Sequence, residues 1–441
     1  MPTDVPVTPE PELDAKFPDQ PGSLVALALV SLVVGAASGL IGALFRLALE
    51  QADRLRNAGL VWAHGHVLIG FLLVIGVVAA ATGLAAWLVR RYSPQASGSG
   101  IPHVEAVLND ELPQAPFRLI PVKFLGGLLA IGTGLALGRE GPSVQMGASM
   151  AHLLGVVFRR NWPDCKTLLA AGAGAGLATA FNAPIAGAVF VLEELVRRFD
   201  TRMTITTLGA SAGAIAVARV LLGEAPDFRV EPLSYPGFGT VPIYLVLGIV
   251  AGFLGVAYNR TILGTLAAAE RLDRWPVELR AALIGAAVAL LAWFAPDLVG
   301  GGDVITQRML AGTEALVMLA CVFILRFGLG AVSYAAGTPG GLFAPMLVLG
   351  SQSGLFFGIL CNRWVPSLAP HPAAVAVVGM AAFFTAVVRA PVTGIVLVAE
   401  MTASFTLLLP MLTSCFAAMV VPTLLRQAPI YDTLRQRALQ R

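Results

Sequence analysis

Gly138-Arg139-Glu140-Gly141-Pro142 sets a carboxylate among glycines directly before a proline, with an apolar run on either side. Proline in a first helical turn needs no N–H partner and presets the entering angle, so Pro142 predicts a helix over about 143–158. The glycines let the chain bend sharply and let another group approach the backbone. A second apolar run, 120–137, precedes the motif. Glu140 therefore falls at a break between two hydrophobic segments, where the positive end of a helix faces whatever fills the gap. A charge at such a depth is costly and marks a functional position. The break reads as an anion site inside a membrane, with Glu140 as its gate.

Composition points the same way. Of 441 residues 57% are hydrophobic and 12% charged, and the mean hydropathy is +0.79; a soluble chain carries about 25% charged residues. The net charge of +3 comes without a long basic block, which argues against a nucleic-acid partner. Cys165, Cys321, Cys361 and Cys415 are widely spaced and show neither metal-ligand spacing nor a disulfide framework, so they read as buried small apolar residues, with no metal or cofactor implied. Residues 1–21 are rich in proline and acids and are expected to be a disordered tail, not a signal peptide.

Long apolar runs fall at 24–49, 67–89, 203–222, 241–263, 277–295, 314–333 and 404–425. Each can span a hydrocarbon core, which takes about 20 residues. Shorter pieces cut by Gly and Pro lie between them, at 101–112, 117–137, 142–158, 166–180, 184–196, 344–361, 374–388 and 391–401. Broken helices at membrane depth are tolerated where protein or a wet cavity covers the freed backbone, which suggests a transporter-like site. The basic pairs Arg90-Arg91 and Arg197-Arg198 favour the cytoplasm for their loops.

An internal repeat organises the chain. Gly35, Gly39 and Gly42 recur as Gly248, Gly252 and Gly255, and Gly98-Ser99-Gly100 is echoed by Gly300-Gly301-Gly302. Gly138-Arg139-Glu140-Gly141-Pro142 aligns with Gly341-Leu342-Phe343-Ala344-Pro345, and Ala183-Pro184 through Glu193 aligns with Ala390-Pro391 through Glu400. The expected units are a first repeat over 22–222, a linker over 223–240, a second repeat over 241–425 and a C-terminal segment over 426–441. Paired interrupted segments in two halves indicate an inverted repeat with its site at the midplane, in an all-α polytopic membrane fold. In that arrangement Glu140 faces Phe343, and two helix N-termini converge on one region rich in unpaired N–H donors. An anion is stabilised there without a buried cation that would hold it too tightly to release. Deprotonated Glu140 competes for the same donors and protonated Glu140 does not, so proton and anion binding are linked.

The loops Gly98-Ser99-Gly100-Ile101-Pro102, Gly138-Arg139-Glu140-Gly141-Pro142 and Gly341-Leu342-Phe343-Ala344-Pro345 resemble the signature loops of the CLC family of chloride channels and proton-coupled chloride transporters. The likeness extends through Phe181-Asn182-Ala183-Pro184 and Val388-Arg389-Ala390-Pro391 to Tyr431. It implies a homodimer with one anion pathway per subunit, in a bacterial inner (plasma) membrane, exchanging chloride for protons. It also implies that Ser99 and Tyr431 bind the anion through their hydroxyls and that main-chain N–H groups around Gly141, Leu342 and Phe343 complete the set. The residues alone agree for Ser99, a hydroxyl before the half-helix opened by Pro102; unaided, Tyr431 reads as an interfacial tyrosine. Ser99 is not proline, which sets the chain apart from the nitrate-preferring branch, and Ser99 with Tyr431 sets it apart from the fluoride-selective one. The expected segment after residue 425 is too short for the nucleotide-sensing cytoplasmic domains of many members.

Glu194 is the second site candidate. Glu193 has a repeat partner in Glu400, whereas Glu194 aligns with Met401, and a residue present in one half only points to function. In the family an acid here accompanies exchangers and takes up the inner proton; the bland reading is a salt bridge to Arg197 or Arg198. Glu193 and Glu400 are assigned to structure, with Arg139, Lys123 or Arg389 as partners. A passive anion channel on the same fold is the alternative, with Glu194 as the sequence discriminator. An intramembrane hydrolase is disfavoured: His64, His66, His103, His152 and His371 form no metal motif and lie mostly in predicted loops or beside prolines.

Overall fold

Proline opens the half-helices that the sequence cuts short, because its fixed φ suits a first turn and its missing N–H is not needed there. A computed structural model describes residues 21–440 apart from 234–236, 273 and 313–314. The tail expected to be disordered lies outside these residues except for Pro21. The first half runs α1 Pro21–His64, α2 Val67–Tyr92, α3 Ile101–Leu108, α4 Leu119–Ile131, α5 Glu140–Val157, α6 Trp162–Phe181, α7 Pro184–Phe190 and α8 Thr201–Leu222. The second runs α9 Val241–Arg271, α10 Val277–Phe294, α11 Asp303–Ala311, α12 Leu316–Tyr334, α13 Phe343–Trp364, α14 Pro372–Val388, α15 Pro391–Thr402 and α16 Leu408–Leu424, and α17 Ile430–Leu439 follows.

Each helix of the first half has its counterpart eight places on, and the packing repeats with it. α1 lies on α8 as α9 lies on α16; α5 lies on α6 as α13 lies on α14; α6 packs on α7 as α14 packs on α15. Three pairs, α2 with α10, α7 with α15 and, at their starts, α5 with α13, join a helix to its own counterpart. Such self-paired contacts lie on the axis relating the halves. The loops meet in the same way: Gly138 and Gly341 exchange N–H···O bonds of 2.9 and 2.7 Å as an antiparallel bridge. The inverted repeat expected from sequence is thus realised as two packed halves.

Among the described residues eight helices are long and apolar enough to cross a membrane, and the chain is an integral, multi-pass membrane protein. α2 has 22% of its apolar window buried and α13 has 72%, so α2 turns its side chains to lipid whereas α13 runs through the protein interior. Both basic pairs share one face. Arg90 pairs with Glu278 at the start of α10 (2.6 Å), Arg437 of α17 pairs with Glu270 near the end of α9 (3.1 Å), and Asp432 of α17 takes Arg197 (2.8 Å).

Several boundaries differ from the sequence reading. α4 stops at Ile131 instead of reaching 137, because Gly132-Thr133-Gly134 follows and Gly134 adopts φ +115°. α5 begins at Glu140 itself, with Pro142 inside its first turn. α1 and α9 continue well past their apolar runs, to His64 and Arg271. Of the cysteines, Cys165 and Cys415 are buried, but Cys361 is half-buried and Cys321 exposed on α12.

Candidate functional site

α5 and α13 point their N-termini at one another across the Gly138–Gly341 bridge. Glu140, the first residue of α5, is fully buried. Its Oε1 accepts the N–H of Phe343 at 2.6 Å and that of Ala344 at 3.2 Å, so the carboxylate seats itself on the first turn of the opposite half's helix. These are two of the donors a helix leaves unpaired at its start, and charge-assisted bonds to them are worth roughly 1.5–3 kcal/mol each. Glycine leaves the space for this seat, since a Cβ at Gly138 or Gly341 would overlap the Glu140 carboxylate. Oε2 has no partner among the described residues.

Ser99 and Gly141 meet directly beneath: a Cβ on Gly141 would lie 2.5 Å from Ser99 Oγ. Leu342 and Phe343 are fully buried at the start of α13. α17 turns back into the protein and buries Tyr431 completely, its ring centroid 5.9 Å from that of Phe343. The unaided reading of Tyr431 as an interfacial residue is corrected here: Ile430 and Leu434 anchor the segment inward with it. The hydroxyls of Ser99 and Tyr431 are both buried without a partner among the described residues. Buried donors left without a partner are costly, so these two hydroxyls call for an account beyond packing.

Glu194 stands apart, at the basic face. α7 passes into a π-type turn, Val191–Leu195, which carries Glu193 and Glu194 at successive positions. Glu194 is buried, and its Oε1 lies 3.8 Å from Arg197 Nη2, too long for a hydrogen bond. Arg197 gives its closer contact to Asp432 and also lies 3.5 Å from Glu105, which in turn lies 3.3 Å from Arg435. A cleft of about 360 Å³ opens here, lined by Glu194, Glu193, Arg197, Arg389 and Asp432 among others. Glu194 therefore borders an open cleft, whereas Glu140 is sealed within the protein.

The family model described as voltage gated chloride channel matches residues 81–423. The chain belongs to this family. The H(+)/Cl(-) exchange transporter ClcA of Vibrio cholerae serotype O1 (strain M66-2) is 37% identical over 421 residues, spanning 93% of this chain and 89% of that protein. ClcA of Salmonella arizonae is 36% identical over 422 residues, spanning 94% and 89%. A slow cyanobacterial Cl-/H+ antiporter of known structure superposes with a TM-score of 0.90 at 32% identity, covering 94% of this chain and 98% of that one.

In this voltage gated chloride channel family member, the remaining acids and cations take structural posts. Glu193 accepts from the N–H groups of Val392 and Thr393 (3.0 and 2.6 Å), at the start of α15. Glu400 accepts from those of Ile185 and Ala186 (3.1 and 2.8 Å), at the start of α7. Their structural assignment holds, but the expected cationic partners are corrected. The helix starts already offer positive ends, and the cations are engaged elsewhere. Arg139 binds Asp227 (3.0 Å), Asp303 (3.3 Å) and Ala180 O (2.9 Å), and Arg389 binds Thr423 (2.9 Å) and Gln427 O.

Lys123 and Arg326 were missed as a pair. Lys123 Nζ, fully buried, donates to Ala96 O (3.0 Å) and Gly98 O (2.8 Å); Arg326 donates to Leu298 O (3.1 Å) and Gly300 O (2.8 Å). Each cation clasps the loop before α3 or α11 in its own half. Their equal place in the repeat was the signal available in sequence.

Proposed function

We propose that the chain exchanges chloride for protons across the membrane, with Glu140 as the shared anion and proton gate. The observation that carries this reading is the bond from Phe343 N–H to Glu140 Oε1 at 2.6 Å. A carboxylate on the first turn of the opposite helix occupies the place a mobile anion would take. When protonated it loses its charge and most of its hold on those donors, so the anion replaces it, and proton and anion binding are linked. Ser99, Tyr431 and the N–H groups around Gly141, Leu342 and Phe343 hold the anion. Glu194, beside the cleft on the basic face, takes up the proton from the cytoplasmic side, which the basic pairs assign to that face. The ClcA relatives, whose names give the same exchange, support the reading. Two copies form a homodimer, each with its own pathway.

Purified protein in liposomes tests it. A chloride gradient should drive protons uphill in the opposite direction, and chloride flux without proton movement would make the chain a passive channel. Crosslinking in the membrane should give dimers; monomers alone would remove the homodimer.

A further inference from the structure

The repeat sets unlike residues in matching positions around Ser99. α12 ends at Tyr334 where α4 ends at Ile131, and Ser99 stands where the second half has Gly301. A phenol is therefore not needed to build this corner, because an isoleucine serves in the other copy. Tyr334 is buried, 7% exposed, and its Oη accepts the N–H of Ser99 at 3.4 Å. Gly98 leaves the room for it: a Cβ there would lie 2.9 Å from that oxygen. The phenol has one proton to donate, and no acceptor for it is found among the described residues. The Tyr334 phenol is thus bonded to the backbone of Ser99, whose own buried hydroxyl has no geometric partner among the described residues. A buried donor without an acceptor is costly, and an anion held at Ser99 would accept from its hydroxyl and from the phenol beside it.

We propose that Tyr334 is a third hydroxyl ligand of the anion, donating its O–H to the ion held against Ser99 and favouring small, hard halides. The proposal rests on the reading of Ser99 and Tyr431 as anion ligands. Calorimetric titration of the purified protein with chloride and with bromide tests it, using Tyr334→Phe, which keeps the ring and removes the hydroxyl. Chloride should bind about ten-fold more weakly, the value of a lost bond to a charged partner, and bromide should lose less. Tyr334→Phe in a Ser99→Ala background should cost less than alone, since the two hydroxyls share one ion. Unchanged chloride affinity in Tyr334→Phe beside a wild type that binds chloride would overturn this proposal alone. Tighter binding would overturn it too, by showing that the hydroxyl competes with the ion. A wild type that binds no halide would take down the underlying anion-site reading and this proposal with it. Should Tyr334→Phe unfold, Tyr334→Trp supplies a bulky ring and an N–H donor: retained chloride binding supports a donor at this place, and its loss overturns it.

Discussion

Glu140 takes its shorter hydrogen bond, 2.6 Å, from Phe343, the residue that holds its own position in the other half. The two are equivalent by repeat and opposite in chemistry. One offers a backbone donor and an apolar ring, the other a carboxylate that fills the donor. A symmetric pair of glutamates would repel, and a symmetric pair of phenylalanines would leave the helix ends without a titrating competitor. In the proposed mechanism this asymmetry lets a proton decide whether the seat is free.

Glu140→Ala removes the competitor while leaving the helix ends intact. Anion flux should persist, become independent of pH and lose all coupled proton movement in liposomes. Uphill proton pumping by this variant would refute the gate assignment.

Glu194→Gln keeps the shape and most hydrogen-bonding capacity of the side chain but cannot carry a proton. Proton uptake driven by a chloride gradient should fall to the background leak, while chloride binding measured by calorimetry stays within about two-fold, a difference of roughly 0.4 kcal/mol. Normal coupling would move the search to Glu105, which borders the same charged cluster at 3.5 Å from Arg197.

Ser99→Pro deletes a hydroxyl and the backbone donor that Tyr334 accepts at 3.4 Å. Exchange assays should show preference shifting from chloride towards nitrate. An unchanged nitrate-to-chloride ratio would reduce Ser99 to a loop residue.

Much of the fold was legible because repeats and prolines leave marks in sequence. The alignment of Glu140 with Phe343 foretold which helix starts would face each other, and that of Ala183-Pro184 with Ala390-Pro391 marked two helices that pack on one another as equivalents. What escaped was set by three-dimensional proximity alone. Tyr431 looks interfacial by composition, and only the inward turn of α17 brings its ring to 5.9 Å from Phe343. Asp227 lies between the halves, far in sequence from the site, yet it bridges Arg46 (2.7 Å) and Arg139 (3.0 Å), the residue before Glu140. The partners of Glu193 and Glu400 were misjudged because a helix start is invisible as a cation when residues are read by side-chain charge.

Glu193→Ala and Glu400→Ala each uncap one helix start in the facing half. Each glutamate accepts two N–H groups of the facing helix start, and the two variants should each lose about 1 kcal/mol of stability, with a somewhat larger drop in thermal midpoint in detergent for Glu193→Ala, which also gives up the bond from Thr393 Oγ1 (2.7 Å). No fall in either variant would show that these contacts do not cap the helix starts.

Lys123 and Arg326 bind loops within their own halves, but both donors to Glu140 come from the far side of the molecule, 203 and 204 residues later in the chain. The seat of the first half's central carboxylate is therefore supplied wholly by the second half, so neither half is complete as a unit without the other.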